Sequence, residues 1–162
     1  MKPVPGLPIE QQPEPVLFAC VLCGEARNGG YASMAAVAQS IMNRLQRPKR
    51  FGATIKDVLL KPWQYSCLNA NDPNREAMLD FWHTEAAAYA IAEGVASKAA
   101  AGALEDTVGP ATHYVVLKLW GRDDADRIAA GHAPAWHSKQ CIEDGTTKET
   151  ARVGGHVFAV TA

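Results

Sequence analysis

Apolar residues recur along the first two thirds of the chain at helical spacing. Leu17, Phe18, Val21 and Leu22 form a first apolar face, entered at Pro15, a favourable opening position for a helix. That helix is expected to run out around Glu25-Ala26-Arg27, because Asn28-Gly29-Gly30 breaks it. Met34, Val37, Ala38, Ile41, Met42 and Leu45 repeat at i, i+3, i+4, i+7, i+8 and i+11, which predicts a second helix over 33–45. Thr54 is placed to cap a short third helix carrying Ile55, Val58 and Leu59, which Pro62 ends. Asp72-Pro73 then reads as a cap followed by proline. An alanine-rich helical stretch continues to about Ala101, divided near Thr84 and stopped by Gly102. Helical spacing is lost after that. Residues 112–117 and 156–160 are apolar and β-branched and read as strands. The segment between them is rich in glycine and alternating charge, with weak helix expected only over 124–130. The order predicts a mainly helical α+β protein with a small late β-sheet.

With 162 residues, 48% of them hydrophobic and 20% charged, the chain is long enough to build a core without disulfide or metal. Pro3, Pro5, Pro8 and Pro13 make 1–14 an expected extended tail, leaving 15–162 as a single domain. Lys plus Arg number 16 and Asp plus Glu 17, a net charge of -1, so no global basic field would favour a nucleic-acid partner. Arg44, Arg47, Lys49, Arg50, Lys56 and Lys61 form a basic stretch broken only by Asp57. It reads either as a solvated face or as a patch for an anionic wall or lipid surface. No apolar run approaches the ~20 residues of a membrane-spanning helix. The proline-broken N-terminus has no apolar core of a secretory signal, so none is expected. Cys20 and Cys23 form a C-x-x-C inside a helical pattern, where a redox pair would open a helix after a strand. Cys67 and Cys141 are far apart, so no second close pair completes a four-cysteine zinc site. Buried, reduced thiols are the expectation.

Glu25 is the most informative acidic residue. It sits where an apolar helix meets a glycine-rich loop, held by a rigid element yet facing a cleft. Apolar neighbours would keep such a carboxyl protonated and fit it for general-acid work. A solvated glutamate paired with Arg27 would occupy the same place.

The order of short motifs adds to this. Gly24-Glu25-Ala26-Arg27 is followed by Asn43-Arg44, Phe51, Thr54-Ile55, Val58 and Gln64-Tyr65-Ser66. Much later come Thr112-His113-Tyr114, Trp136 and Gly155-His156-Val157-Phe158. The series resembles the SleB/CwlJ-type cell wall hydrolases, whose pattern runs E-A-R-G-E, N-R, F-x-x-[ST]-I-x-x-V, Q-[FY]-[ST], T-H-Y, W and G-x-H-x-F. Trp63-Gln64-Tyr65-Ser66-Cys67, followed by Asn71-Asp72-Pro73-Asn74-Arg75, resembles the branch found in phage endolysins. The second glutamate of E-A-R-G-E is absent, with Asn28-Gly29 in its place.

The resemblance implies a lysozyme-like fold, cleavage of the peptidoglycan glycan, and catalysis by Glu25. Glycosidases usually pair two carboxylates, but no Asp or Glu lies between Glu25 and Asp57. A second one would have to come from a distant segment. The simpler account uses one carboxylate, which protonates the glycosidic oxygen and then takes the proton of the C6 hydroxyl as a 1,6-anhydro ring closes. That is lytic transglycosylation; water attack at the same bond, a muramidase, is the variant. Gln64, Tyr65, Ser66, Thr112, His113, Tyr114, Trp136 and His156 are the candidate substrate-binding residues. Trp63 and Trp136 suit either sugar stacking or a core position. No cofactor and no metal are expected for the chemistry. The implied biology is an endolysin, a monomer held in the host cytoplasm until a holin lets it reach the wall, with no stable membrane insertion. Two other classes stay open. One is a zinc amidase drawing on His113, His132, His137, Cys141 and His156, none of them in a tight ligand spacing. The other is a non-catalytic wall-binding protein on the same scaffold.

Overall fold

The computed structural model describes Met1–Ala162. The chain packs as two compact units, Met1–Asp106 and Thr107–Ala162. Helices and helical turns dominate the first, and the only sheet lies in the second, so the protein is a mainly helical α+β structure.

The first unit is built around helix α1, Glu14–Ala26, with Pro15 in its first turn. Residues from Val16 through Cys23 are all buried, so the helix is covered on every side rather than along one stripe. Helices α2 (Gly30–Leu45) and α4 (Ile55–Leu60) pack against it, and the short α3 (Pro48–Phe51) packs on α2. Three more helices follow: α5 (Asn74–Ala77), α6 (Phe81–Thr84) and α7 (Ala86–Ala100). Helices α7, α2 and α4 all touch α1. Tyr89, Ala92, Val95, Ala96 and Ala99 form the buried stripe of α7, and its alanines allow close approach.

Helix ends follow local chemistry. Thr54 and Asp57 form the reciprocal capping box of α4, with Asp57 N donating to Thr54 Oγ1 and Thr54 N to Asp57 Oδ2, both at 3.0 Å. These bonds hold the Asp57 carboxyl below its ordinary range. Helix α7 ends at Gly102, φ 67°, with Ala103 N donating to Lys98 O and Gly102 N to Ala99 O. The alanine-rich stretch breaks at Glu85 rather than being capped by Thr84, whose hydroxyl donates back to Asp80 O at 3.1 Å. Helix α2 starts at Gly30, earlier than its apolar pattern implied. The N-terminal segment docks in part. Ile9 and Gln12 are buried, and the Gln12 amide bonds Val4 N, Val4 O and Leu7 O.

In the second unit, β1 (His113–Val116), β2 (Thr147–Val153) and β3 (His156–Thr161) form an antiparallel sheet in the order β1-β3-β2. Tyr114 lies opposite Phe158, and Val116 opposite His156. Strand β2 falls where the sequence reads as charged loop. Its turn into β3 is Gly154-Gly155, both at positive φ (55° and 79°), a two-residue hairpin that glycine makes accessible. Two short helices, α8 (Ala125–Ala129) and α9 (Lys139–Glu143), are capped by the side chains of Asp124 and Ser138.

Candidate active site

Glu25 is the penultimate residue of α1 and is half-buried. Its Oε1 accepts hydrogen bonds from Cys67 N at 3.1 Å and from Ser66 Oγ at 3.3 Å. Both donors belong to the single turn Ser66–Leu68. The preceding residue explains how that turn comes so close. A Cβ on Gly24 would lie 3.0 Å from both Cys67 Cβ and Met78 Sδ, so only glycine lets the turn reach the helix end.

Beneath the turn lies a buried cation. Arg44 is 3% exposed, and its Nη1 donates to the Tyr65 hydroxyl at 2.8 Å. The guanidinium stands 5.2 Å from the centres of both the Tyr65 and Phe51 rings. Tyr65 is itself 1% exposed, and burial pushes its phenol up to about 12, against the pull of Arg44 and with the charge of Glu25 adding to the rise. Tyr65 thus braces the turn from below, with its hydroxyl on Arg44. The Cys67 thiol is pushed far up, first by burial and then by the charge of Glu25 and a hydrogen bond to it. Asp72, from a distant loop, adds to that rise, which places a second carboxylate in the electrostatic surroundings of Cys67.

The end of α1 is tied down further. Arg27 Nη2 donates to Asn74 Oδ1 at 3.2 Å, its Nε lies 3.7 Å from Glu85 Oε1, and its guanidinium stands 4.9 Å over the Phe81 ring. Gln64 is half-buried, and Ser66 is exposed beside Glu25. Trp63 is 86% exposed, not core.

The second unit carries its own group of candidates. Thr112 is buried, and its Oγ1 lies 3.0 Å from His113 Nδ1, which orients that ring. His113 and Tyr114 point to opposite faces of β1. The His113 ring lies 5.1 Å from Trp136, which is 5.3 Å from His137 and 6.3 Å from Trp120. On the other face Tyr114 lies 5.6 Å from each of His156 and Phe158. The Nδ1 atoms of His137 and His156 are buried without a hydrogen-bond partner. No three His, Cys, Asp or Glu side chains converge in a group able to hold a metal ion.

Three contributors escape a linear reading. Arg44 belongs to the basic stretch by sequence, yet it is buried. The signal was its place on the apolar stripe of Val37 and Ile41. The amide of Cys67 carries no side-chain signature at all. Gly24 looks like a flaw inside a helix until its neighbours are seen.

A family model described as Cell Wall Hydrolase matches residues 28–159. The matched span begins past Glu25, so the role of that residue rests on the motif and on the geometry around it. No curated protein and no solved structure matches.

Proposed function

On the premise that the chain belongs to the cell wall hydrolase family, we propose that it cleaves the β-1,4 bond between N-acetylmuramic acid and N-acetylglucosamine, with Glu25 as acid and then base. One observation carries this reading. A half-buried carboxylate at the end of a helix whose middle is buried on every side is gripped by two donors from the Gln64-Tyr65-Ser66-Cys67 segment, one of them on the exposed Ser66. A rigid carboxyl of this kind suits proton transfer to a bound glycan.

The reaction needs one proton on the Glu25 carboxyl at the start. Glu25 gives that proton to the glycosidic oxygen as the bond to C1 breaks. The C6 hydroxyl of the same muramic acid then closes on C1, and its proton returns to Glu25. The products are a 1,6-anhydro end and a new free 4-hydroxyl, with no water consumed. Gln64 and Ser66 are proposed to contact the sugar beside Glu25. His113, Tyr114, Trp136 and His156 are proposed as glycan-binding residues on the motif they match, with Thr112 setting the His113 ring. The endolysin role, with release through a holin, rests on the likeness of the Trp63–Cys67 segment to that branch.

The test is mass spectrometry of soluble fragments from purified peptidoglycan, with wild type and Glu25→Gln side by side. Fragments lighter by one water, lacking a new reducing end and absent with Glu25→Gln, are the expected result. Free peptide stems with intact glycan would overturn the reading. A muramidase is the second reading, and Asp72 is what favours it, as a carboxylate whose charge is felt at the same thiol. Asp72→Asn keeps the acceptor that bonds Asn74 N at 2.8 Å. The transglycosylase reading expects that variant to stay active, within about threefold of wild type. A muramidase using Asp72 would lose on the order of a hundredfold or more.

A further inference from the structure

Lys61-Pro62-Trp63-Gln64 is a tight turn closed by Gln64 N donating to Lys61 O at 3.3 Å. Proline at its second position and a left-handed residue at its third make it a type II turn, whose third position ordinarily takes glycine or asparagine. Here the third residue is Trp63, at φ 64°, the one non-glycine residue of the chain with positive φ. A bulky aromatic side chain in that region is strained. Nothing in packing offsets the strain, because Trp63 is 86% exposed while Trp82, Trp120 and Trp136 are each half-buried. The fold thus holds a large apolar ring in water, in a backbone conformation that disfavours it.

The position is fixed from both sides. Leu59 is fully buried before the turn, and Tyr65 is anchored by Arg44 just after it. Ser66, a donor to Glu25, is three residues on, so its Cα lies within about 11 Å of that of Trp63. This span suits a glycan strand that reaches from the indole to the carboxylate. The C–H face of a pyranose is flat and apolar with a polar rim, and an indole matches it with a flat apolar face and an N–H at its edge. The exposed cations Lys49, Arg50 and Lys61 belong to the same stretch, and Lys61 Nζ donates to Arg50 O. They suit a glycan whose peptide stems carry carboxylates.

Resting on the glycan-cleaving reading above, we propose that Trp63 is a stacking platform for a pyranose ring of the glycan strand, held outward by its strained turn so that it sets where the strand lies against Glu25.

The proposal requires a trade between stability and binding. Trp63→Gly relieves the turn and removes the ring, whereas Trp63→Phe keeps both strain and ring. Sedimentation with purified peptidoglycan sacculi, on the Glu25→Gln background so that nothing is cut, measures binding. We expect Glu25→Gln/Trp63→Gly to bind on the order of tenfold more weakly than Glu25→Gln, and the Phe variant within about threefold. The Gly variant is expected to melt about 2–4 °C higher than its parent. Equal sacculus binding by the Gly variant overturns the proposal, and so does a lower melting temperature, which would make the ring structural. Vesicles of anionic phospholipid provide the other control. Binding to them that depends on Trp63, without such dependence on sacculi, would make the residue a membrane contact and overturn the proposal. If Glu25→Gln still cuts the wall, the catalytic reading fails, while the Trp63-dependent difference in binding is still measured on its own.

Discussion

Ser66 and Cys67 hold Glu25 differently, and the difference can be measured. Ser66→Ala removes one side-chain donor from Oε1 and leaves the Cys67 amide in place. A hydrogen bond to a charged group is worth about 1.5–3 kcal/mol when buried, and less where one partner is exposed as Ser66 is. Steady-state turnover of Ser66→Ala on soluble glycan fragments should therefore fall about three- to tenfold, with the melting temperature nearly unchanged. An equal loss to that of Glu25→Gln would mean that Ser66 does more than position. The thiols give a second test at this scale. Cys20, Cys23 and Cys67 are buried and Cys141 is half-exposed. Burial pushes Cys20 up to about 12 and Cys23 to about 11. Neutral, buried thiols do not react. At pH 8 an alkylating reagent should modify Cys141 alone in the native protein and all four cysteines in urea, read by intact mass. Fast native labelling of a second thiol would contradict the packing around α1.

Among the elements, α1 and the Ser66–Leu68 turn depend on Gly24 for their approach. Gly24→Ala puts a Cβ 3.0 Å from Cys67 Cβ and Met78 Sδ. In an ordinary helix interior that change would stabilise. Here the overpacking costs about 1–3 kcal/mol. Gly24→Ala should thus lower the melting temperature, by about 2–4 °C for each kcal/mol. Its activity should fall further than its stability, because the turn is pushed away from Glu25. A rise in melting temperature would show that the turn has room to move. At the same scale, the capped and periodic helices were legible from the chain: Pro15 at the start of α1, Thr54 before α4 and Gly102 after α7 all act as their chemistry predicts. Strand β2 was not. Its Thr-Lys-Glu-Thr-Ala-Arg-Val sequence has few apolar positions, and a bulge between Glu149 and Ala151 breaks its alternation. The readable signal was Gly154-Gly155, a two-residue hairpin turn directly before β3.

For the molecule as a whole, the central helix makes stability depend on protons that its core retains. Cys20, Cys23 and Tyr65 titrate in the fold at about 12, 11 and 12, against ordinary values of 9.0, 9.0 and 10.0. The folded protein keeps protons that the unfolded chain gives up, so stability falls as pH rises. The contribution is fully present below about pH 9 and is lost as pH passes through the folded values. The urea midpoint should fall steadily between pH 8.5 and 10.5, with a flat midpoint as the outcome that would contradict it. No helix is long and apolar enough to cross a membrane.

The helices, their caps, the late position of the strands and the ordered motifs that lead to a cell wall hydrolase can be read along the chain. These are local: hydrophobic period, cap chemistry and glycine placement act over a few residues, and each can be read in place. Packing between distant segments set the rest. It made α1 a helix buried on every side, where its apolar residues had suggested one face. It turned Arg44 from a member of a basic run into a buried brace for Tyr65. It brought the Cys67 amide and the Ser66 hydroxyl to Glu25 across some forty positions of chain, and it left Trp63 strained and in water. A backbone donor has no side-chain identity to read, and burial depends on what packs against a residue from elsewhere in the chain. Both are therefore properties of the folded assembly, and no local pattern carries them.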